Sequence, residues 1–242
     1  MTAKKGPRKI LAWHFLPEDG CLRWGAREKV KLGKVYSLPT SETPELCERG
    51  MHGSIRPLDA LQYAPGPIVC RVRLWGDVVQ DGDKLVARHR EVIAMADATR
   101  TLHEFAIWCA ERALALIPTP NPRSLNALRV KRAWLDGKAT DAELTVARAA
   151  ARAVAWDAAW AARAAARAAA WDAVWDAARD AARAAAWDAV WDAARDAARA
   201  AAWDAAWAAR DAAARAAAWD AAWAAQNDHL AAMLRGLLGV PR

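Results

Sequence analysis

Apolar and polar positions alternate in short runs up to about residue 97, and beyond that point the apolar spacing becomes helical. ILAWHFL (10–16) predicts a strand, and Glu18-Asp19-Gly20 a turn after it. KVKLGKVYSL (29–38) predicts a hairpin. CERGMHGS (47–54) leads into a short helix at PLDALQYA (57–64). PIVCRVRLWGDVV (67–79) predicts a strand with one apolar face, and DGDKLVARHREVIAMA (81–96) a turn followed by one further strand.

The spacing in ATRTLHEFAIWCAERALALI (98–117) predicts a helix, broken by PTPNPRS (118–124). Ser124 is expected to cap a second helix running to Leu135 and closed by Asp136-Gly137. Thr140-Asp141-Ala142-Glu143 is a capping box and starts a third. The resulting expectation is an α+β protein. A small N-terminal mixed-sheet domain (1–97) is followed by two linking helices (98–139) and a long Ala/Trp-rich helical region (140–242).

That last region is repetitive. WDAVWDAARDAARAAA occurs twice in succession across 171–202. The unit resolves into tetrads, with Trp171, Trp175, Arg179, Arg183, Trp187, Trp191, Arg195, Arg199, Trp203 and Trp207 at four-residue steps. Alanine, the best helix former, fills half or more of each unit, and no Gly or Pro follows until Gly236. As one helix, 141–225 would be a rod of roughly 130 Å at about 1.5 Å per residue; folded back, it would form antiparallel helices. A four-residue step overshoots one turn by about 40°, so the Trp/Arg stripe winds around the helix instead of holding a coiled-coil seam or a membrane-facing side. Along the stripe, tetrad neighbours are placed for stacking and cation–π contact, and Asp176 and Asp180 are placed to pair with Arg179 and Arg183.

Composition follows from this repeat, since ten of the fifteen tryptophans lie from Trp156 to Trp223. The ten Arg and ten Asp between Arg148 and Asp220 cancel, so residues 1–147 carry nearly all of the net charge of +7. A basic N-terminal half allows contact with a polyanion, but a neutral repeat is a poor track for nucleic acid. Cys21, Cys47, Cys70 and Cys109 have neither zinc-ligand nor disulfide-framework spacing, so no metal is expected and reduced thiols in a cytoplasm fit best. The N-terminus lacks an apolar signal-peptide core, and no stretch approaches a membrane span.

Candidate chemistry lies in the first domain. Read as one strand, LVARHREVI places His89 and Glu91 on a face with Leu85, Ala87 and Ile93. His14 shares a face with Ile10, Ala12 and Leu16. His52 stands beside Gly53 in RGMHGS, where backbone can come close to a ligand.

RGMHGSIRPLDALQYAPGPIVCRVRLWGDVV followed by DGDKLVA resembles an uncharacterised domain of phage and actinobacterial proteins, over roughly residues 10–97. Its recurring form is Gly-Leu-His-Ala-Ser, Asp-Ala-Leu-x-Tyr-Ala-Pro-Gly and Cys-Arg-Val, and the resemblance implies no activity. PNPRSLNALRVKRAWLDGKATDAELTVARAAARA is similar to helical families described as immunity proteins. A more distant likeness is to ADP-ribosyltransferases, with His14, GMHGS, Tyr63, CRVRLWG and Glu91 in the order of that fold's motifs. It implies that His14 holds the nicotinamide ribose and that His52 takes the place of a stacking Tyr. It further implies that Tyr63 contributes to NAD binding and that Glu91 stabilises an oxocarbenium ion. Phe15 stands where that family has Gly, and His52 where it has Tyr.

The reading favoured by the sequence is a non-catalytic, cytoplasmic accessory or interaction protein of phage type, without cofactor. Its repeat helices, through Trp171, Trp175, Trp187, Trp191, Trp203, Trp207, Arg179 and Arg195, mediate self-association into a homo-oligomer or the binding of a protein partner. The first alternative is an NAD-dependent ADP-ribosyltransferase-like enzyme, and the second a nucleic-acid-binding module.

Overall fold

A computed structural model describes residues 9–22, 27–151, 153 and 212–241. The fold is α+β, with antiparallel sheets first and helices after them. Two compact units divide the chain: residues 1–99 together with 229–242, and residues 100–228.

Among the described residues the first unit holds seven strands. These are β1 (Ile10–Leu16), β2 (Val35–Ser37), β3 (Met51–Gly53), β4 (Ile68–Trp75), β5 (Val79–Asp81), β6 (Lys84–Ala87) and β7 (His89–Asp97). One sheet has the order β1-β4-β7-β2 and the other β3-β6-β5. Every pairing between these strands is antiparallel, where the sequence led to a mixed sheet. β1 lies along the whole of β4, from Ile10 opposite Leu74 to Leu16 opposite Ile68. A bulge between Arg71 and Val72 interrupts the β4–β7 ladder and bends it.

The core lies between the sheets. Ala12 and Leu16 of β1, Cys70, Val72 and Leu74 of β4, Tyr36 of β2 and Val92 of β7 meet Leu85 and Ala87 of β6, with Met51 of β3 packed against them. These residues occupy alternate positions on their strands, as a half-buried sheet requires. α1 (Pro57–Leu61) starts on Pro57, whose fixed φ suits the first helical position, and all five of its residues are buried. Asp59 inside it accepts from Arg56 Nε at 2.7 Å. Gly66 is required by contact: a Cβ there would stand 2.4 Å from Pro17 Cα and 2.6 Å from Leu16 O.

Two further expectations fail in this unit. The segment 29–38 does not fold on itself as a hairpin. Its strand β2 pairs with β7, and the preceding residues are held by Val30 N–H to Gly20 O and Gly33 N–H to Val92 O. The single strand expected over 81–96 is two strands in different sheets. Arg88 is the hinge between them, its N–H bonded to Gly76 O and its C=O accepting from Leu38 N–H.

In the second unit, α2 (Thr99–Ala115) buries Leu102, Phe105, Ala106, Cys109 and Ala113, a stripe at three- and four-residue spacing. α3 (Pro122–Leu135) is capped by Asn121, whose side chain accepts from Arg123 N–H at 2.9 Å, and not by Ser124. Pro122 lacks the N–H that a cap must satisfy and opens the helix three residues earlier than expected. Helical residues 141–151, here α4, begin at the expected box. Thr140 N–H donates to Glu143 Oε2 at 2.7 Å, and Glu143 N–H to Thr140 Oγ1 at 3.2 Å. α3 and α4 meet through Ala127, Ala147 and Ala151, with Val130 against them; the small side chains allow close approach.

α5 (Ala212–Leu238) begins in the second unit, and its last ten residues belong to the first. Leu230 and Leu234, one turn apart, are fully buried. Gly239 ends the helix in left-handed geometry, φ +63°, with Val240 N–H reaching back to Arg235 O. Residues 152 and 154–211, which carry most of the repeat, lie outside the described residues.

Candidate functional site

The histidines and the glutamate singled out in the sequence fall on different sides of the four-stranded sheet. His14 lies on the core-facing side of β1, between the buried Ala12 and Leu16. It is part-exposed and makes no hydrogen bond among the described residues. Burial, then the positive charge of Arg90, then His52, hold its pKa well below the ordinary histidine range, so it is neutral at neutral pH.

His52 is occupied by backbone. Cys47 N–H donates to Nε2 at 3.1 Å, which leaves the proton on Nδ1, and Nδ1–H donates to Gly50 O at 3.1 Å. The imidazole thereby holds the loop before β3, in which Cys47 adopts φ +67°. Glu45 and Arg49 close that loop through two backbone hydrogen bonds. Burial lowers the His52 pKa as well, in keeping with a neutral ring.

Glu91 is on the opposite face. Adjacent strand residues point to opposite sides, so burial of Arg90 toward the core sends Glu91 away from it. There Glu91 accepts from Arg73 Nη1 at 3.3 Å and from Lys9 Nζ at 3.5 Å. The face read in the sequence as Leu85, Ala87, His89, Glu91 and Ile93 is broken at Arg88. On β7 the buried positions are Arg90, Val92 and Ala94. His89 stays with Glu91 on the outer side, bonded to Ser37 Oγ at 2.7 Å and stacked on Trp75 at 5.3 Å. The structure therefore brings His14 and His52 to the surroundings of Arg90 and leaves Glu91 out.

Tyr63 is 45% exposed and belongs to a separate surface group. Its hydroxyl donates to Asp83 Oδ2 at 2.7 Å, and Lys84 Nζ lies 4.7 Å from its ring centre. Burial and the Asp83 bond raise the phenol pKa. Lys84 also donates to the exposed Cys47 Sγ at 3.4 Å.

Arg90 is the residue the sequence reading missed. It is 5% exposed, and burial pulls its pKa down to about 10, so it keeps its charge at neutral pH. Nη1 donates to His52 O at 3.1 Å. Nε is buried without a partner, and no carboxylate pairs with the guanidinium among the described residues. Cys70, in the same core, has its thiol pushed up to about 12 by burial and is chemically inert.

In the described part of the repeat, Trp219 and Trp223 are part-buried and stacked, with ring centres 6.5 Å apart and planes within 5°. Trp171, Trp175, Trp187, Trp191, Trp203, Trp207, Arg179 and Arg195 lie outside the described residues. Among the described residues no three His, Cys, Asp or Glu side chains are grouped to hold a metal, and no helix is long and apolar enough to cross a membrane.

One family model matches the part of the chain from β2 to β7 with the start of α2. Residues 25–104 match a domain of unknown function (DUF7666). The match omits β1 and so omits His14, but it contains His52, Tyr63, Arg90 and Glu91. It is consistent with the uncharacterised domain expected from GMHGS and DALQYAPG. No curated protein matches the chain, and no solved structure does.

Proposed function

We propose that the protein is a non-catalytic accessory or interaction protein of phage type, acting in the cytoplasm, whose repeat helices mediate self-association or the binding of a protein partner. The observation that carries this reading is the Trp219–Trp223 pair, where two indoles at the tetrad spacing of the repeat stack and are withdrawn from most of their water. Extended along the stripe, the same spacing presents a succession of large apolar rings, and their burial against protein is worth roughly 1.5–3 kcal/mol each. Equal numbers of Arg and Asp keep that surface neutral, which suits protein contact better than a nucleic-acid track. The four free cysteines, two of them buried, fit a reducing compartment.

The ADP-ribosyltransferase alternative is disfavoured by Glu91, which is engaged by Arg73 and Lys9 on the face away from His14. Light scattering of the full chain over a concentration series tests the proposal. The molar mass should rise above 26.3 kDa with concentration, and substitution of Trp219 and Trp223 by Ala should weaken the rise. A constant monomer mass that does not change on addition of a lysate would contradict it.

A further inference from the structure

The guanidinium of Arg90 sits in the core between the two sheets with one edge of its fork unused. Nη1 is satisfied by His52 O at 3.1 Å. Nε is buried and has no partner, and the bond from Nη1 to His52 O is the one hydrogen bond the guanidinium makes among the described residues. Nε and Nη2 form the planar pair of donors that matches the two oxygens of a carboxylate. A buried cation without a counter-charge is costly, and proteins pair such groups or bind anions to them.

Among the described residues, the surroundings supply no anion of their own. The groups whose electrostatics couple to Arg90 are His14, His52, Cys70 and Tyr36. His14 and His52 are neutral, and the Cys70 thiol is protonated. The Tyr36 oxygen accepts from Lys31 N–H at 2.9 Å. His14 is part-exposed, and its imidazole makes no hydrogen bond among the described residues. One buried positive charge among neutral neighbours calls for one negative charge.

We propose that the Nε–Nη2 edge of Arg90, together with the imidazole of His14, binds the carboxylate of a small organic acid. A carboxylate brings the single charge and the planar geometry that this edge lacks. A dianionic phosphate would leave one negative charge buried and unbalanced. The site is separate from the repeat and does not depend on self-association.

The test is a titration of the full-length protein with acetate, followed by the His14 ring signals in NMR at constant ionic strength, with chloride as the reference salt. Acetate should produce saturable shifts, with a dissociation constant on the order of 1–10 mM. Arg90→Met should abolish them. Arg90→Lys keeps the cation and loses the fork, so it should weaken acetate at least about ten-fold even if the methionine variant fails to fold. Inorganic phosphate at mildly alkaline pH should bind more weakly than acetate. Shifts no greater than those from chloride, or saturation unchanged in Arg90→Lys, would overturn the site. Phosphate binding tighter than acetate would overturn its assignment to a carboxylate.

Discussion

His14 gives the first unit an acid-sensitive stability whose size follows from its surroundings. In the folded chain its pKa is held well below the usual 6.5, first by burial and then by Arg90 and His52. In the unfolded chain it titrates near 6.5, so as pH falls through that value the unfolded state takes up a proton that the folded state refuses. Stability is therefore fully present well above pH 6.5 and is lost as pH falls through that value. The unfolded His is already half protonated at about pH 6.5, so refusing the proton in the folded state costs about 1 kcal/mol between about pH 6.5 and 5.5. His52, whose pKa is also lowered, adds to the loss in the same direction. Asp19 and Glu143 have lowered carboxyl values, and their contributions disappear only at more acid pH. The window from about pH 6.5 to 5.5 thus isolates the histidines. Urea denaturation of the wild type and of His14→Gln at both ends of this window measures the effect. Glutamine cannot titrate, so across this window the variant should lose about 1 kcal/mol less than the wild type. Equal losses in the two proteins would refute the placement of a neutral His14 beside Arg90.

Gly66→Ala should lower the melting temperature of the first unit, because the new Cβ meets backbone of residues 16–18 at 2.4–2.6 Å; a cost of roughly 1–3 kcal/mol is expected. A melt unchanged in circular dichroism would mean that β1 and the 64–67 turn are not in contact. Thr140→Ala breaks the reciprocal cap of α4 and should cost about 1 kcal/mol, read as earlier urea unfolding of the second unit, while Thr140→Ser should retain most of it. His52→Ala removes both backbone bonds of the imidazole and should increase proteolytic cleavage near Cys47, whereas Glu91→Ala should leave that loop intact.

The elements with one unambiguous periodicity were legible in the sequence: β1, β4, α2 and the box at Thr140. Alternation in IVCRVRLW allows one assignment of faces, and Thr-x-x-Glu before an alanine run allows one helix start. The stretch 84–97 was legible only in part, because EVIAMA is apolar at both odd and even positions. Continuous alternation from Leu85 put His89 and Glu91 on the core face. The break at Arg88 reversed the parity and put Arg90 there instead. No local signal marks a one-residue crossing between sheets. It is fixed by partners distant in sequence, Gly76 O and Leu38 N–H. β2 was misread for the same reason, since its partner β7 lies more than fifty residues on. Asn121 was a readable cap, Asn before Pro at the first helical position, and Ser124 drew the assignment away from it.

The proposed function requires the indoles of the repeat to find shelter against protein. Acrylamide quenching of tryptophan fluorescence in the full-length chain addresses it directly, because ten of the fifteen tryptophans report from the repeat. A quenching constant several-fold below that of the urea-unfolded chain, for most of the emission, is the expected result. Quenching as efficient as in the unfolded chain for the majority of the indoles would contradict the account.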